Sequence, residues 1–208
     1  AAFQTAARSF QPSKPMYSLS DYIDLNGVEN IPGYVGTVLW EEIMNGVDAI
    51  ALSQDSPLFL QPEALQAFAD TCMTVNRLAP VVAAFQESPA EVAILYSDAS
   101  KILDDGVPYL KSALYALEGC SFAGYQVRYI TEKQIEQGGL DSVKVFVIPE
   151  TPAVSDAAFA QMSAYAEHGG TLIRVGTPIP YDERGFSRRD VLRDANHTVR
   201  VRGINLAT

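Results

Sequence analysis

Apolar residues in the first 85 positions alternate between short runs and helical spacing. Residues 16–19 and 47–52 are short apolar runs that predict buried strands. Between them the apolar positions recur at helical spacing over residues 34–45, and residues 63–79 carry a longer amphipathic pattern that predicts a further helix. Together with the helical start of the chain, this order is typical of parallel β/α units and not of hairpins.

A second series of β/α elements follows residues 86–90, which resemble a linker. Residues 92–96 form an unbroken apolar run, as expected for a strand that helices cover on both faces. Three more strands are predicted at residues 126–130, 143–149 and 171–175. Three helices are predicted at residues 108–123, 132–137 and 156–168. We therefore predict a domain boundary near Ser88–Pro89 and a small doubly wound parallel sheet after it. The Val and Arg alternation at residues 199–202 predicts an edge strand or the start of a further domain.

The composition narrows the classes of protein. With 48% hydrophobic residues the chain can bury a large core, and a net charge of −10 disfavours nucleic acid and anionic membranes as partners. No apolar run approaches the roughly 20 residues of a membrane span, and no signal-peptide pattern is visible, so a soluble cytoplasmic protein is expected. Cys72 and Cys120 have apolar neighbours and are expected to be buried reduced thiols. The spacing of the His and Cys residues predicts no metal site.

Two parts of the sequence carry a family resemblance. Residues 146–156 and 166–172, with a strand, prolines, a helix and Gly169–Gly170, resemble the amidotransferase-like, flavodoxin-like domain that follows the barrel in β-galactosidases of the thermophile type. That domain is often called the trimerisation domain. Residues 14–19 resemble the seventh strand of the (β/α)8 barrel of these enzymes, and residues 36–50 resemble the helix and eighth strand that close it.

The resemblance implies an α/β protein with three parts. Residues 1–87 correspond to the terminal β/α units of a (β/α)8 barrel, residues 88–180 to a flavodoxin-like doubly wound parallel sheet, and residues 181–208 to a tail or the start of a further domain. It further implies a fragment or subunit of a β-galactosidase-like glycoside hydrolase that completes the barrel and takes part in oligomerisation. The remaining barrel would come from another chain or a missing segment, and the complete enzyme would act on a carbohydrate. No cofactor is implied.

This sequence lacks a glutamate at the position of the nucleophile of these enzymes. Counting from Lys14–Pro15, Ser20 occupies that position, and a neutral hydroxyl cannot replace the carboxylate of a retaining glycosidase. The adjacent Asp21 has a carboxylate, but neighbouring strand residues point to opposite faces, so Asp21 could be catalytic only if a bulge redirected it. Its alternative role is that of a loop acid or helix cap. The family's acid/base lies on the fourth strand, outside this sequence, so the chain alone is predicted not to hydrolyse glycosides.

The ends of the two barrel-like strands supply the candidate substrate contacts. Active sites of (β/α)8 barrels lie at the carboxyl ends of the strands. The candidates are Tyr17, Ser20, Tyr22, Ser53, Gln54 and Asp55. Core packing is the alternative for the two tyrosines, and a plain loop is the alternative for the residues after the eighth strand.

Two other classes of protein have the same predicted order of strands and helices as residues 88–180. A glutamine amidotransferase needs a nucleophilic Cys on the turn after a central strand, where this chain has Pro149–Glu150–Thr151. An FMN carrier needs a phosphate loop, predicted here at residues 97–101, where Asp98 repels an anion and no glycine-rich turn occurs. Both are disfavoured. The remaining alternative is an interaction module of the same fold without sugar chemistry.

Overall fold

The computed structural model describes residues 2–19, 25–52, 56–103, 107–176, 179–189, 192 and 198–201. The chain divides into two compact units, Ala1–Ser88 and Pro89–Thr208. We call them the first and the second unit.

The first unit is a two-stranded parallel sheet with helices. Its elements are α1 (Ala2–Phe10), β1 (Tyr17–Leu19), α2 (Ile31–Met44), β2 (Ala49–Ala51), a 3-10 helix (Pro57–Leu60), α3 (Pro62–Arg77) and α4 (Ala79–Gln86). In the parallel ladder, Tyr17 pairs with Ala49 and Leu19 with Ala51. The predicted strands and the helix between them are confirmed with small shifts at their ends. Parallel strands need a crossover connection, and α2 provides it.

The core of the first unit lies between α2, the 3-10 helix and α3. Val35 and Leu39 of α2 are fully buried with Leu58 and Ala64, and Ile50 of β2 packs against this cluster. α2 begins where the Asn30 side chain accepts a hydrogen bond from the Gly33 amide at 3.0 Å, which satisfies one of the free donors of the first turn.

Two details of the predicted long helix are wrong. The helix ends at Arg77, and a separate helix, α4, occupies Ala79–Gln86, because Pro80 cannot donate an amide hydrogen bond and is tolerated only in a first turn. The apolar side of the pattern over residues 63–79 includes Leu65 and Leu78, but each of these is 37% exposed, and the fully buried described residue of α3 is Ala64.

The second unit is a five-stranded parallel sheet with helices. Its elements are β3 (Val92–Tyr96), α5 (Asp98–Leu103), α6 (Val107–Phe122), β4 (Val127–Thr131), α7 (Glu132–Glu136), β5 (Val145–Ile148), α8 (Asp156–Glu167), β6 (Thr171–Val175) and β7 (Thr198–Val201). The strand order is β4-β3-β5-β6-β7, and every neighbouring pair is parallel. The edge-strand prediction for the Val and Arg alternation is confirmed by β7.

The predicted phosphate loop at residues 97–101 is wrong. Asp98 begins the short helix α5, which leaves Ser97 as the link from β3. The remaining predicted strands and helices of this unit are confirmed with small shifts at their ends. The core contains Phe146, Ile148, Met162 and Leu172, all essentially inaccessible to solvent.

Two further expectations concern the whole described chain. None of the described helices is both long and apolar enough to cross a membrane. Cys72 and Cys120 are free thiols, but both are half-buried and not fully buried. Burial raises the pKa of each thiol.

Candidate functional site

The carboxyl ends of β1 and β2 lie at one edge of the first unit's sheet. Leu19 pairs with Ala51 at the end of the ladder, so the chain leaves both strands at the same edge. Residues 20–24 and 53–55, which follow, are outside the described residues. The candidates they carry are Ser20, Asp21, Tyr22, Ser53, Gln54 and Asp55, which stay predictions.

Tyr17 is the candidate that the structure describes. It is 72% exposed and shares one face of β1 with Leu19, which is 57% exposed. Ser18 points to the other face, where its hydroxyl donates a hydrogen bond of 2.9 Å to Glu42 Oε1 of α2. The open face of β1 is therefore the face that carries Tyr17, and core packing of Tyr17 within the described residues is excluded by this exposure.

At the amino-terminal end of this sheet, Asp48 binds both the segment before β1 and helix α1. Asp48 Oδ2 accepts a hydrogen bond of 2.7 Å from the Met16 amide, and Asp48 Oδ1 lies 2.9 Å from Arg8 Nη2. One carboxylate thus ties α1 and the approach to β1 to the start of β2. This contact joins residues 40 positions apart, so sequence periodicity could not reveal it.

Ser56 is buried without a hydrogen-bond partner. Its exposed fraction is 2%, and its hydroxyl has no hydrogen-bond partner among the residues that the structure describes. It lies directly before the 3-10 helix and directly after the undescribed residues 53–55. Buried hydroxyls without a partner are rare in proteins, so this one calls for an explanation.

The carboxyl edge of the second unit contains a dense polar network. Tyr109 Oη donates to the Leu95 carbonyl at 2.9 Å and accepts from the Ser97 amide at 2.6 Å. The Ser97 hydroxyl lies 2.9 Å from the carbonyl oxygen of Ala153 and 2.6 Å from Glu132 Oε1. Burial raises the pKa of Tyr109, so this phenol stays protonated and able to donate.

Glu132 connects three helix starts at this edge. Oε1 also accepts from the Ala99 amide at 3.4 Å, and Oε2 accepts from the Ser155 amide at 2.6 Å. Sequence reasoning missed Glu132, because an acidic residue in the first turn of a helix is common for reasons of the helix dipole alone.

This network bears on the two alternative classes. The amide that a phosphate would use at the start of α5 already binds the Glu132 carboxylate, which repels a second anion. After β5 the turn carries Glu150 and Thr151, with no thiol, while Cys120 is in the last turns of α6 and His168 is exposed at the end of α8. The geometry offers no Cys–His pair of the amidotransferase type within the described second unit.

Metal ligands do not gather in the described parts of the chain. Among residues the structure describes, no group of three or more His, Cys, Asp or Glu side chains could hold a metal ion.

The comparisons with known proteins give a fold. No family model matches the sequence, and no curated protein matches it. The exo-carrageenase GH42 from Bacteroides ovatus matches with a TM-score of 0.77 and 17% identity, over 97% of this chain and 30% of that one.

Two β-galactosidase structures agree. A catalytic mutant of Gan42B, a GH42 β-galactosidase from G. stearothermophilus, matches with a TM-score of 0.67 and 18% identity, over 91% of this chain and 31% of that one. The β-galactosidase from Rahnella sp. R3 matches with a TM-score of 0.69 and 15% identity, over 89% of this chain and 31% of that one.

These neighbours show that the chain shares its fold with glycoside hydrolases. More narrowly, the chain has a β-galactosidase-like fold, which confirms the predicted resemblance to β-galactosidases at the level of the fold. It spans about 30% of the length of the first structure it matches.

Proposed function

We propose that this chain is a fragment or subunit of a β-galactosidase-like glycoside hydrolase. Residues 1–87 supply the last two β/α units of a (β/α)8 barrel, and residues 88–180 form a flavodoxin-like domain that makes oligomer contacts. Sugar hydrolysis belongs to the complete enzyme, in which the other barrel strands accompany this chain. The parallel pair β1–β2, with helices on one side and an open face on the other, carries this proposal.

The edges of the pair support barrel completion. Each strand is paired on one side only among the described residues, and a free strand edge invites pairing with a further strand. A barrel of this type needs about eight strands to close. Tyr17 and Leu19 project from the open face, where a barrel interior would cover them.

A groove beside β2 also fits the addition of neighbouring barrel elements. It has a volume of about 410 Å³ and is lined by Ile50 of β2 with Phe68, Cys72, Val75 and Val82 of the helices. Its lining is mainly apolar, so covering it with another helix or strand is favourable. The buried Ser56 hydroxyl has no hydrogen-bond partner among the described residues, and a neighbouring barrel element could supply one.

The second unit supports a flavodoxin-like assignment by its strand order. Numbered within the unit, β4-β3-β5-β6-β7 reads 2-1-3-4-5, the order of flavodoxin-like sheets. Ile102, Phe122 and Phe186 are largely exposed, and large exposed apolar side chains of this kind are candidates for oligomer contacts.

We propose Asp21 as the catalytic carboxylate of the seventh strand. Tyr17 and Leu19 share the open face of β1, and Ser18 points toward α2. Under this proposal the period of two continues past Leu19, so that Asp21 would join the open face without the bulge that the count from Lys14–Pro15 requires. Under this proposal Ser20 is a neighbour of the catalytic group. Tyr17, Tyr22, Ser53, Gln54 and Asp55 are proposed sugar contacts.

A second candidate is a non-catalytic interaction module. The observation that favours it is the closed polar network at the carboxyl edge of the second unit, where a chain residue, Glu132, occupies the usual ligand position. Under this alternative neither unit binds a sugar.

Purification of the tagged protein from its native cells tests the proposal. We expect the remaining β/α units to be recovered with it, in the same polypeptide or in a partner, and the recovered enzyme to hydrolyse nitrophenyl β-galactoside or a related glycoside. A lone oligomer without hydrolysis would instead support the interaction module.

A matched pair of variants sharpens this test. Leu19→Arg puts a charge on the open face of β1, and we expect loss of association with the remaining barrel. Tyr125→Arg changes an exposed residue of the second unit that is not among the proposed contacts, and it should leave that association intact. Equal association of both variants would contradict barrel completion.

A further inference from the structure

The position where open α/β sheets bind ligands is filled in the second unit. Ligands of such sheets bind outside the carboxyl ends of the strands, where the strand order reverses. Here the order reverses at β3, which lies between β4 and β5. Glu132 directly follows β4, and its carboxylate reaches the segments that follow β3 and β5.

The groups that bind this carboxylate form a set of oxyanion donors. Ser97 Oγ lies 2.6 Å from Oε1, the Ala99 amide 3.4 Å from Oε1, and the Ser155 amide 2.6 Å from Oε2. Ser97 is completely buried and Ala99 is 9% exposed, so water cannot easily replace the carboxylate at these donors. Backbone amides and a hydroxyl that converge on two oxygens are typical of anion sites.

Other acidic residues at helix starts in this unit behave differently. Asp98, in the first turn of α5, pairs with Lys101 at 2.6 Å, and Asp156, in the first turn of α8, pairs with Arg188. Both carboxylates are about three-quarters exposed. Glu132 instead directs both of its oxygens to donors from other segments, so the helix dipole alone does not account for it.

We propose that this crevice is an oxyanion-binding site which the chain fills with its own Glu132 carboxylate. Once that side chain is removed, small carboxylate anions bind to Ser97, Ala99 and Ser155 in its place. In the wild-type protein Glu132 is therefore a positioning residue that joins the starts of α5, α7 and α8. The site lies wholly within the second unit, so its test is independent of the proposed barrel.

The test is rescue of Glu132→Ala by acetate. The substitution deletes one CH2 group and the carboxylate, and acetate has the same heavy atoms as the deleted part. We expect the variant of the 208-residue chain to melt lower than the wild type, by on the order of 5 °C. Acetate should then restore much of the loss in a saturable manner, because a ligand that binds only the folded state stabilises it. The amide signals of Ala99 and Ser155 should shift with the same saturation.

Controls separate a site from a general salt effect. Acetamide has the shape of acetate without its charge, and chloride supplies equal ionic strength; neither should rescue the variant. Glu136→Ala removes an exposed carboxylate of the same helix that accepts from the Ser155 hydroxyl at 2.6 Å, and it should not respond to acetate. Glu132→Gln keeps the volume filled, so it should be destabilised yet insensitive to acetate.

The outcomes decide the proposal in each case. Absence of acetate rescue in Glu132→Ala, or an equal acetate effect in the wild type, Glu136→Ala or Glu132→Gln, would overturn it. If Glu132→Ala is unfolded in acetate-free buffer, recovery of the helical circular dichroism signal on addition of acetate supports the site, and failure to recover it refutes the site.

Discussion

Tyr165 lies so close to Gly170 that a Cβ at residue 170 would stand 2.3 Å from Tyr165 Cε1. The ring is fixed in this position because its hydroxyl contacts carbonyl oxygens near the starts of β5 and β6, at 3.2 Å and 3.4 Å. The preceding Gly169 has a φ of +89°, a conformation that favours glycine. Gly169 is therefore required by its backbone conformation, and Gly170 is required because the Tyr165 ring leaves no room for a side chain.

Gly170→Ala should destabilise the chain by about 1–3 kcal/mol, because the ring must move to admit the new methyl group. Urea unfolding measures the difference. Gly119→Ala is the matched control: Gly119 is in α6, a Cβ there meets nothing within 4 Å, and the change should stabilise the helix by up to about 1 kcal/mol. Similar effects of the two changes would show that Tyr165 does not restrict residue 170.

Tyr109→Phe should cost about 1–3 kcal/mol of stability, because it leaves the Leu95 carbonyl and the Ser97 amide without their buried partner. Thermal unfolding followed by circular dichroism measures this loss. Tyr125→Phe removes a hydroxyl from an exposed residue and should change stability by less than about 0.5 kcal/mol. A Tyr109→Phe protein as stable as the wild type would show that water replaces the hydroxyl.

Stability should fall on the alkaline side because of Tyr129. Burial, with the nearby Tyr96 and Glu118, raises the pKa of Tyr129 from 10.0 to about 12. Since the folded state holds this proton more tightly than the unfolded state, the contribution is complete below pH 10 and is lost as the pH rises toward about 12.

Denaturant unfolding between about pH 9 and about pH 12 checks this prediction, because Tyr129 titrates within this range. Tyr129→Phe should show a smaller decline over the same range than the wild type. Identical declines would mean that Tyr129 does not contribute to the alkaline loss.

The chain alone should not hydrolyse nitrophenyl β-galactoside. General acid/base assistance contributes roughly 10²–10⁴-fold in rate, and under the proposed function the acid/base lies on a barrel strand other than β1 and β2. Release of nitrophenol by the isolated chain, compared with Asp21→Asn, is the measurement. Clear turnover that Asp21→Asn abolishes would contradict the prediction and would identify Asp21 as catalytic in the chain by itself.

Most strands could be predicted from the sequence because they are short apolar runs between polar turns, and β7 could be predicted from its alternation of Val and Arg. β3 and β6 were predicted at the bounds that the structure has. α4 was missed because its residues are apolar on most sides and give no clear helical period. α5 was missed because six residues are too few to show a period.

The candidate sites could be predicted only in part. The positions after β1 and β2 follow from strand order, since parallel strands end at one edge. Glu132, in contrast, meets Ser97 across 35 positions and Ser155 across 23. Such a network depends on how three helices approach each other, and neither composition nor period encodes that geometry.

The attachment of α1 has a consequence for local opening. Its described links to the rest of the first unit include Thr5 with Asn45 at 2.9 Å and Arg8 with Asp48, and the residues that join it to β1, 11–15, are exposed. Partly exposed polar contacts of this kind are weak and sensitive to salt. α1 should therefore detach and reattach as a separate cooperative segment, exchanging its amide hydrogens long before the turns of α2 that carry the buried Val35 and Leu39 do.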